Sequence, residues 1–298
     1  MSGLVNYAVQ YAKALAQAYP YTLYFGALWM SPNKDKYKVL DANTIKIPHL
    51  VVKGRVDGDR DTITGFTRNH ENEWLTYTLR NHREWSTLVH PMDVQQTGGV
   101  MAIQNATKVF NEEQKFPEMD AYTISALFAE YATRLSKTPD TTALTAENIL
   151  QVIDSLMLPM DESRVPKKGR ILYGTPTTMA LIKNAKDILK YRSLTDGNKT
   201  ITRLIERIDE LVLSEVPSDL MQTVYDFTQG WKKGSTAKQC NFFIVHPEAC
   251  LPAINYTFAA LGDPSAETKG KCVYFEESFE DMYLIDYKAN AIAFNIAA

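Results

Sequence analysis

The chain has 298 residues, of which 45% are hydrophobic and 22% are charged, and this composition excludes wholesale disorder. Its 32 lysines and arginines against 35 aspartates and glutamates leave a formal net charge of −3. A dedicated nucleic-acid-binding protein is therefore not expected, because such proteins carry a strongly basic surface.

The N-terminal residues predict a helix followed by an aromatic arm. Apolar side chains recur at helical spacing over residues 5–16, and Pro20 ends the pattern. Tyr24, Phe25 and Trp29 then lie on a segment too short to bury them on itself. We expect these aromatics to contact a neighbouring chain, and docking on the chain's own domain is the alternative.

Neither a membrane span nor a secretory signal is expected. The longest mainly apolar stretch, residues 21–30, is far below the ~18 residues that a membrane-spanning helix needs. No basic region precedes the first apolar residues, as it would in a secretory signal.

Residues 43–92 predict an extended β-hairpin. A charged, glycine-containing turn at residues 54–61 separates strand-like segments. About 50 residues of half-polar β structure between helical segments are more typical of an extended loop than of a compact domain. The tip carries Asp57, Asp59 and Asp61, which we predict to contact basic groups on a neighbouring chain.

Three helices are predicted in the middle of the chain. Asp93, with Gln96 as its capping partner, is predicted to begin a long one-sided helix. Pro117 occupies a position that favours the first turn of a second helix. Thr145 is predicted to cap a third helix, which ends before Pro159.

The remainder of the chain alternates between strands and helices. Thr175 and Pro176 predict the cap and first turn of a helix that reaches about residue 190. The periodicity of residues 201–216 fits either a strand or a helix, and we predict a strand. Pro247 is predicted to begin a short helix. Further strands are predicted at 170–173, 242–245, near 273–275, 282–287 and 292–296. The predicted fold class is a mixed α+β fold.

No pattern in the sequence indicates catalytic, cofactor or metal chemistry. Thr62 and Arg68 stand where a calcium-binding loop would require glycine and glutamate, and the five histidines lack zinc-site spacing. A phosphate-binding loop and a serine nucleophile elbow are both absent from the sequence. We expect the chain not to be an enzyme, although a soluble cytoplasmic enzyme with a flap remains an alternative.

Two pairs of reactive residue types receive structural interpretations. Glu118 and Asp120 are interpreted as first-turn carboxylates that the helix dipole favours. Cys240 and Cys250 flank the apolar strand and are interpreted as small buried hydrophobes. With Cys272, the chain has three cysteines, too few and too late in the sequence to staple a secreted domain, so a reducing compartment is expected.

The order of these segments resembles the major capsid proteins of tailed bacteriophages. The resemblance is most specific at residues 44–48, at 83–85 followed by 92–97, and at 116–122. This combination of segments is similar to the capsid subunits of phages of Gram-positive hosts. It implies the Hong Kong-type capsid fold, which encapsulins share. In that fold the chain would divide into an N-terminal arm (1–42), an extended loop (43–92), a peripheral domain with a spine helix (93–139), an axial domain (140–261) and C-terminal strands (262–298).

The resemblance also implies a function and a set of partners. The chain would form the icosahedral head shell around double-stranded DNA, in hexamers and pentamers of itself, and its mild negative charge suits a container for DNA. The implied partners are a separate scaffolding protein, a portal, a decoration protein and DNA bound without sequence specificity, with no cofactor and no membrane. The implied location is the virion, after assembly in the host cytoplasm. An encapsulin-like compartment for an enzyme cargo is the alternative.

Overall fold

The computed structural model describes residues 21–41, 43–55, 68–96, 102–185, 207–208 and 210–298. The predicted N-terminal helix at residues 5–16 and the acidic tip with Asp57, Asp59 and Asp61 lie outside the described residues.

A five-stranded sheet forms the centre of the fold, in the strand order β13-β10-β5-β7-β6. Its strands are β5 (Ile171–Gly174), β6 (Arg207–Ile208), β7 (Leu211–Glu215), β10 (Cys240–Val245) and β13 (Ile292–Ile296). The pair β5–β7 is parallel, and the other pairs are antiparallel. The strands predicted at 170–173, 242–245 and 292–296 are thereby confirmed. The described part of 201–216 contains two short antiparallel strands, β6 and β7, in place of the one strand predicted.

Strand β10 is buried on both faces because it separates two apolar cores. Phe243 packs in one core with Phe25 and Phe294, while Phe242 and Ile244 pack in the other. Alternate side chains of a strand point to opposite faces, so an uninterrupted apolar run is what a doubly covered strand requires.

Two three-stranded sheets flank this centre, with the orders β1-β2-β3 and β11-β12-β4. Their strands are β1 (Lys38–Asp41), β2 (Thr44–Val52), β3 (His70–Thr78), β4 (Asn81–Val89), β11 (Cys250–Gly262) and β12 (Cys272–Leu284). A short ribbon pairs β8 (Tyr225–Asp226) with β9 (Lys232–Lys233).

The predicted hairpin is only part of residues 43–92. Strands β2 and β3 pair antiparallel from Thr44↔Thr78 to Val52↔His70, as a hairpin requires. Strand β4 instead pairs along its whole length with β12 and belongs to another sheet. The two strands predicted near 273–275 and 282–287 are likewise one long strand, β12.

The helices are α1 (Gly26–Trp29), α2 (Pro91–Gln96), α3 (Ile103–Phe110), α4 (Phe116–Ala129), α5 (Ile149–Glu162) and α6 (Pro176–Lys183). Helix α2 begins at Pro91, before the predicted Asp93, because the His90 Nδ1 atom accepts the Met92 backbone N–H at 3.1 Å. Helix α6 begins as predicted, with the Thr175 side chain accepting the Thr178 N–H. Short 3₁₀ turns lie at Ser218–Leu220, Pro247–Ala249 and Asp286–Ala291.

Helix α4 begins at Phe116 with Pro117 in its first turn, as predicted, but it is not separated from the helix before it. Helices α3 and α4 are joined by a π-helical turn, Asn111–Lys115, and a second such turn, Glu130–Arg134, extends α4. In the first turn the Phe116 N–H donates to the Asn111 carbonyl, five residues back. This wider turn precedes the proline ring, which would clash with a carbonyl in a regular helix and has no N–H to donate. One helical rod therefore runs through residues 103–134, and we call it the long helix.

The end predicted for the third helix is wrong. Helix α5 continues through Pro159 to Glu162, although the proline nitrogen cannot donate the usual hydrogen bond to the carbonyl four residues back. Thr145 does not cap α5 itself; its Oγ1 accepts the Glu147 and Asn148 N–H groups in the preceding turn. Within the described ranges, no helix combines the length and apolar character needed to cross a membrane.

Replacing Phe243 by alanine tests the two-sided core. Phe243 is fully buried, so Phe243→Ala should lower the free energy of unfolding by about 3–5 kcal/mol through lost burial and a residual cavity. Phe258→Ala is the matched control, because Phe258 is 43% exposed and should cost only about 0.5 kcal/mol. Denaturant unfolding of the unassembled chain measures both, and equal losses would contradict this description of the core.

Candidate assembly surfaces

Asp120 clamps the aromatic N-terminal segment to the long helix. Its carboxylate accepts the Tyr21 hydroxyl at 2.7 Å and the backbone N–H groups of Tyr24 and Phe25 at 3.0 Å each. Burial raises the pKa of Asp120 to about 6, although these three hydrogen bonds act to lower it. Asp120 is therefore a mid-helix anchor, and the first-turn interpretation of this residue is wrong.

The N-terminal aromatics are covered by the chain's own domain. Phe25 is fully buried, with its ring centroid 4.9 Å from that of Tyr173. Trp29 is also buried, and its Nε1 donates to Thr123 Oγ1 at 3.0 Å. The alternative of docking on the same chain thus describes Phe25 and Trp29, and their burial requires no neighbouring chain. Tyr24 is half-buried, and its contact with a neighbour stays a prediction.

The outer half of the β2–β3 hairpin leaves apolar side chains exposed. Leu50, Val51, Val52 and Trp74 all lie largely open to solvent, and Val52 is 65% exposed. We call these four residues the hairpin surface. Leu50, Val52 and Trp74 lie on one face of the hairpin, since Trp74 is paired with Pro48, and Val51 lies on the other face. Exposed apolar groups that share a face are typical of a surface that another protein covers.

Strand β11 carries a second exposed apolar surface on its outer half. Tyr256, Phe258 and Leu261 are exposed, and the Tyr256 and Phe258 rings stack with their centroids 6.4 Å apart. Strand β11 is also the edge of its sheet among the described strands, and an edge strand can pair with a further strand.

A network of a half-exposed arginine with two buried carboxylates fixes the base of the hairpin. Arg80, between β3 and β4, donates from Nε to Asp281 at 3.2 Å and from Nη2 to Glu130 at 3.2 Å. Asp281 is fully buried and also accepts the hydroxyls of Tyr122 at 2.8 Å and Tyr283 at 2.7 Å. Burial alone would lower the pKa of Arg80, but the neighbouring carboxylates reverse this and raise it. The network ties the hairpin to the long helix and to β12.

A cavity of about 310 Å³ lies between the long helix and the sheet β11-β12-β4. Two ion pairs cross it: Arg83 with Glu118 at 2.6 Å, and Lys115 with Glu276 at 3.0 Å. Glu280 on β12 also lines the cavity; the residue is 9% exposed, and burial raises its pKa to about 7. Among the residues that the structure describes, its side chain has no hydrogen-bond or ion-pair partner.

The described residues contain no group of three or more histidine, cysteine, aspartate or glutamate side chains suited to a metal ion. Cys240 and Cys250 are fully buried, and burial raises the pKa of both thiols, that of Cys250 to about 12. A thiol with a raised pKa is a poor nucleophile, which agrees with the interpretation of both cysteines as small hydrophobes.

Sequence reasoning missed Arg80, Asp281 and Glu280. One signal for the two acids is visible in the sequence: they interrupt the largely apolar end of β12, where an unpaired charge would be costly.

The fold matches solved phage capsid structures over nearly the whole chain. The mature capsid of bacteriophage PhiM1 gives a TM-score of 0.65 at 11% identity, covering 98% of this chain and 92% of that chain. The capsid of cyanophage P-SCSP1u gives 0.65 at 8% identity, covering 98% and 93%. The capsid of Myoviridae phage XM1 gives 0.55 at 9% identity, covering 100% of both chains. No protein-family model and no curated protein matches the sequence. The chain has the fold of these phage capsid chains.

Asp120→Asn tests the N-terminal clamp. An amide offers one acceptor oxygen and turns an NH₂ group toward a backbone donor, so the variant should lose about 1–3 kcal/mol of stability and release the segment around Tyr24 and Phe25. Hydrogen exchange at residues 21–30 should accelerate. Glu113→Gln, an exposed carboxylate on the same long helix, is the control, and equal exchange in both variants would refute the clamp.

Asp281→Asn tests the charge network. The change removes one of the two carboxylates that pair with Arg80, and it should lower the free energy of unfolding by about 2–4 kcal/mol. The loss is smaller than for a fully buried ion pair because Arg80 is half-exposed. Hydrogen exchange should accelerate where β3 leads into β4. Glu71→Gln, an exposed acid on β3, serves as the reference, and unchanged exchange in Asp281→Asn would argue against the network's role.

Proposed function

We propose that this chain is a major capsid protein, a structural subunit that assembles into the icosahedral head shell of a tailed phage. The observation that carries the proposal is the fold likeness to phage capsids, which extends over 98% of this chain and more than nine-tenths of each matched chain. A structural role rather than an enzymatic one follows from this proposal.

The exposed surfaces support assembly. The hairpin surface and the outer half of β11 both expose apolar groups that the subunit's own core does not cover. In a shell, a heterologous contact repeated around closed rings would bury such groups at every subunit. We propose that Tyr24 and the acidic tip with Asp57, Asp59 and Asp61 add contacts to a neighbouring subunit, the acids by pairing with basic groups.

The proposal includes partners and a location. The subunit would assemble with copies of itself, guided by a separate scaffolding protein, around a portal, and with a decoration protein on the finished shell. The shell would hold double-stranded DNA without sequence-specific contacts, and the net charge of −3 avoids tight binding to the packaged duplex. Assembly would take place in the host cytoplasm, and the product would be the virion.

Assembly of the expressed chain tests the proposal. The chain, alone or with a scaffolding protein, should form rings or shells visible by negative-stain microscopy and sedimentation. A double variant, Leu50→Ser with Val52→Ser, should keep the subunit's melting temperature and lose particle yield, since both side chains are exposed.

Leu158→Ser is the matched control for that variant, because Leu158 is an equally exposed leucine on α5, away from the hairpin. Its particle yield should be normal. A chain that stays monomeric at high concentration with scaffolding protein present would contradict the proposal. A co-purifying enzyme cargo in place of DNA would instead support an encapsulin-like compartment.

A further inference from the structure

We propose that the cavity between the long helix and the sheet β11-β12-β4 receives a lysine or arginine side chain from a second copy of this chain, with Glu280 as its counter-charge. The inference rests on the proposed function, because it names a contact within the assembled shell.

The charges that line the cavity do not balance. Three inward carboxylates, Glu118, Glu276 and Glu280, meet two cations, Arg83 and Lys115. Each cation already pairs with a carboxylate, Arg83 with Glu118 and Lys115 with Glu276. Glu280 is the carboxylate left over, and one more positive charge in the cavity would balance it.

A proton is the simplest such charge, and it sets the pH dependence of the site. Burial raises the pKa of Glu280 to about 7; Glu118 and Asp281 add to this rise, and Lys115 and Arg83 oppose it. The protonated form of Glu280 is therefore favoured as the pH falls through 7. A basic side chain would replace that proton, so its binding should strengthen as the pH rises through 7.

The other acids near the cavity do not account for this pH-dependent binding of a basic side chain. Glu277 on β12 is engaged by His82 at 2.6 Å, and Glu276 also accepts the Tyr274 hydroxyl at 2.8 Å. Glu84 lines the rim from β4 and is exposed. Glu280 is the buried acid of this cavity without a partner among the described residues.

The walls of the cavity suit a basic side chain with an apolar neighbour. Trp85, Phe110 and Phe258 line it, and their rings offer apolar area to the methylene stem of a lysine or arginine.

The end of the β2–β3 hairpin is the segment that fits this description. Lys53 and Arg55 are exposed there, and neither forms an ion pair with any residue that the structure describes. They directly follow Val51 and Val52, which belong to the exposed hairpin surface. The hairpin end thus joins unpaired positive charge to apolar side chains, which complements the acid and aromatic lining of the cavity.

A peptide-binding experiment tests the cavity without requiring assembly. A fluorescent peptide of residues 49–55 should bind the unassembled subunit, more tightly at pH 8 than at pH 6. Glu280→Gln, which keeps the shape and removes the charge, should weaken binding at pH 8 at least ~10-fold and abolish its pH dependence. Glu113→Gln, which removes an exposed acid on the long helix, should bind like the unmodified chain. Equal binding by Glu280→Gln, or no binding by the unmodified chain, would overturn the inference.

The melting temperature shows whether Glu280→Gln is folded. The raised pKa of Glu280 means that the ionised form opposes folding, so the stability of the unmodified subunit should fall as the pH rises from about 5 to 8. Glu280→Gln should lack this fall and melt no lower than the unmodified chain at pH 8. Weak peptide binding by a variant that melts much lower would reflect damage to the fold and count against the inference.

Assembly then separates the inference from the proposed function. Glu280→Gln, the double variant Lys53→Gln with Arg55→Gln, and their combination should each raise the concentration at which particles form. The combination should be no worse than the more damaging of the two, because both remove one contact. Normal assembly of Glu280→Gln would overturn the inference and leave the proposed function intact. Glu280-dependent peptide binding by a chain that never forms particles would support the cavity and contradict the shell.

Discussion

The ion pairs of Arg80 set the geometry on which the rest of the structure depends. At this residue the chain leaves the hairpin sheet and enters the sheet β11-β12-β4, and one guanidinium meets Asp281 on β12 and Glu130 on the long helix. Arg134 pairs with the same Glu130 at 2.5 Å and also with Asp286, which brings in the 3₁₀ turn after β12. Buried ion pairs contribute little net stability, because desolvation offsets attraction, but they strongly disfavour arrangements that leave a charge unpaired. The network therefore fixes where the hairpin starts more than how stable the subunit is.

The two π-helical turns lie where the long helix faces the charges of β12. The first turn contains Lys115, which reaches Glu276, and the second contains Glu130 and Arg134. A π turn widens the helix locally and rotates the side chains that follow it, and such turns are frequent at functional sites. The long helix thus continues through Pro117, and its charged side chains face β12 at two positions along the helix, one at each π-helical turn.

The sequence allowed prediction of features that depend on neighbouring residues. Strand β10, the Thr175 cap and the pairing of β2 with β3 follow from local apolar patterns and cap chemistry. Strand β12 was predicted in pieces because its acids break the apolar pattern. The groups that contact most of them, Arg80, His82 and Lys115, come from residues more than 150 positions away. Patterns of neighbouring residues cannot predict pairs that are so distant in the sequence. For the same reason they do not predict that Phe25 packs against Tyr173, or that Trp29 bonds to Thr123.

Glu280 links the free energy of the single subunit to that of the assembly. A buried carboxylate without a partner raises the free energy of the folded subunit whenever it is ionised, so selection for subunit stability alone would favour a neutral residue at this position. An acid there is advantageous if a neighbouring subunit supplies the missing cation, because the penalty in the single subunit then becomes attraction in the shell. The same residue would make assembly sensitive to pH near 7, since the proton and the neighbour's side chain compete for one carboxylate. Acidification would thus stabilise the separate subunit and weaken the contact, and a rise in pH would do the reverse.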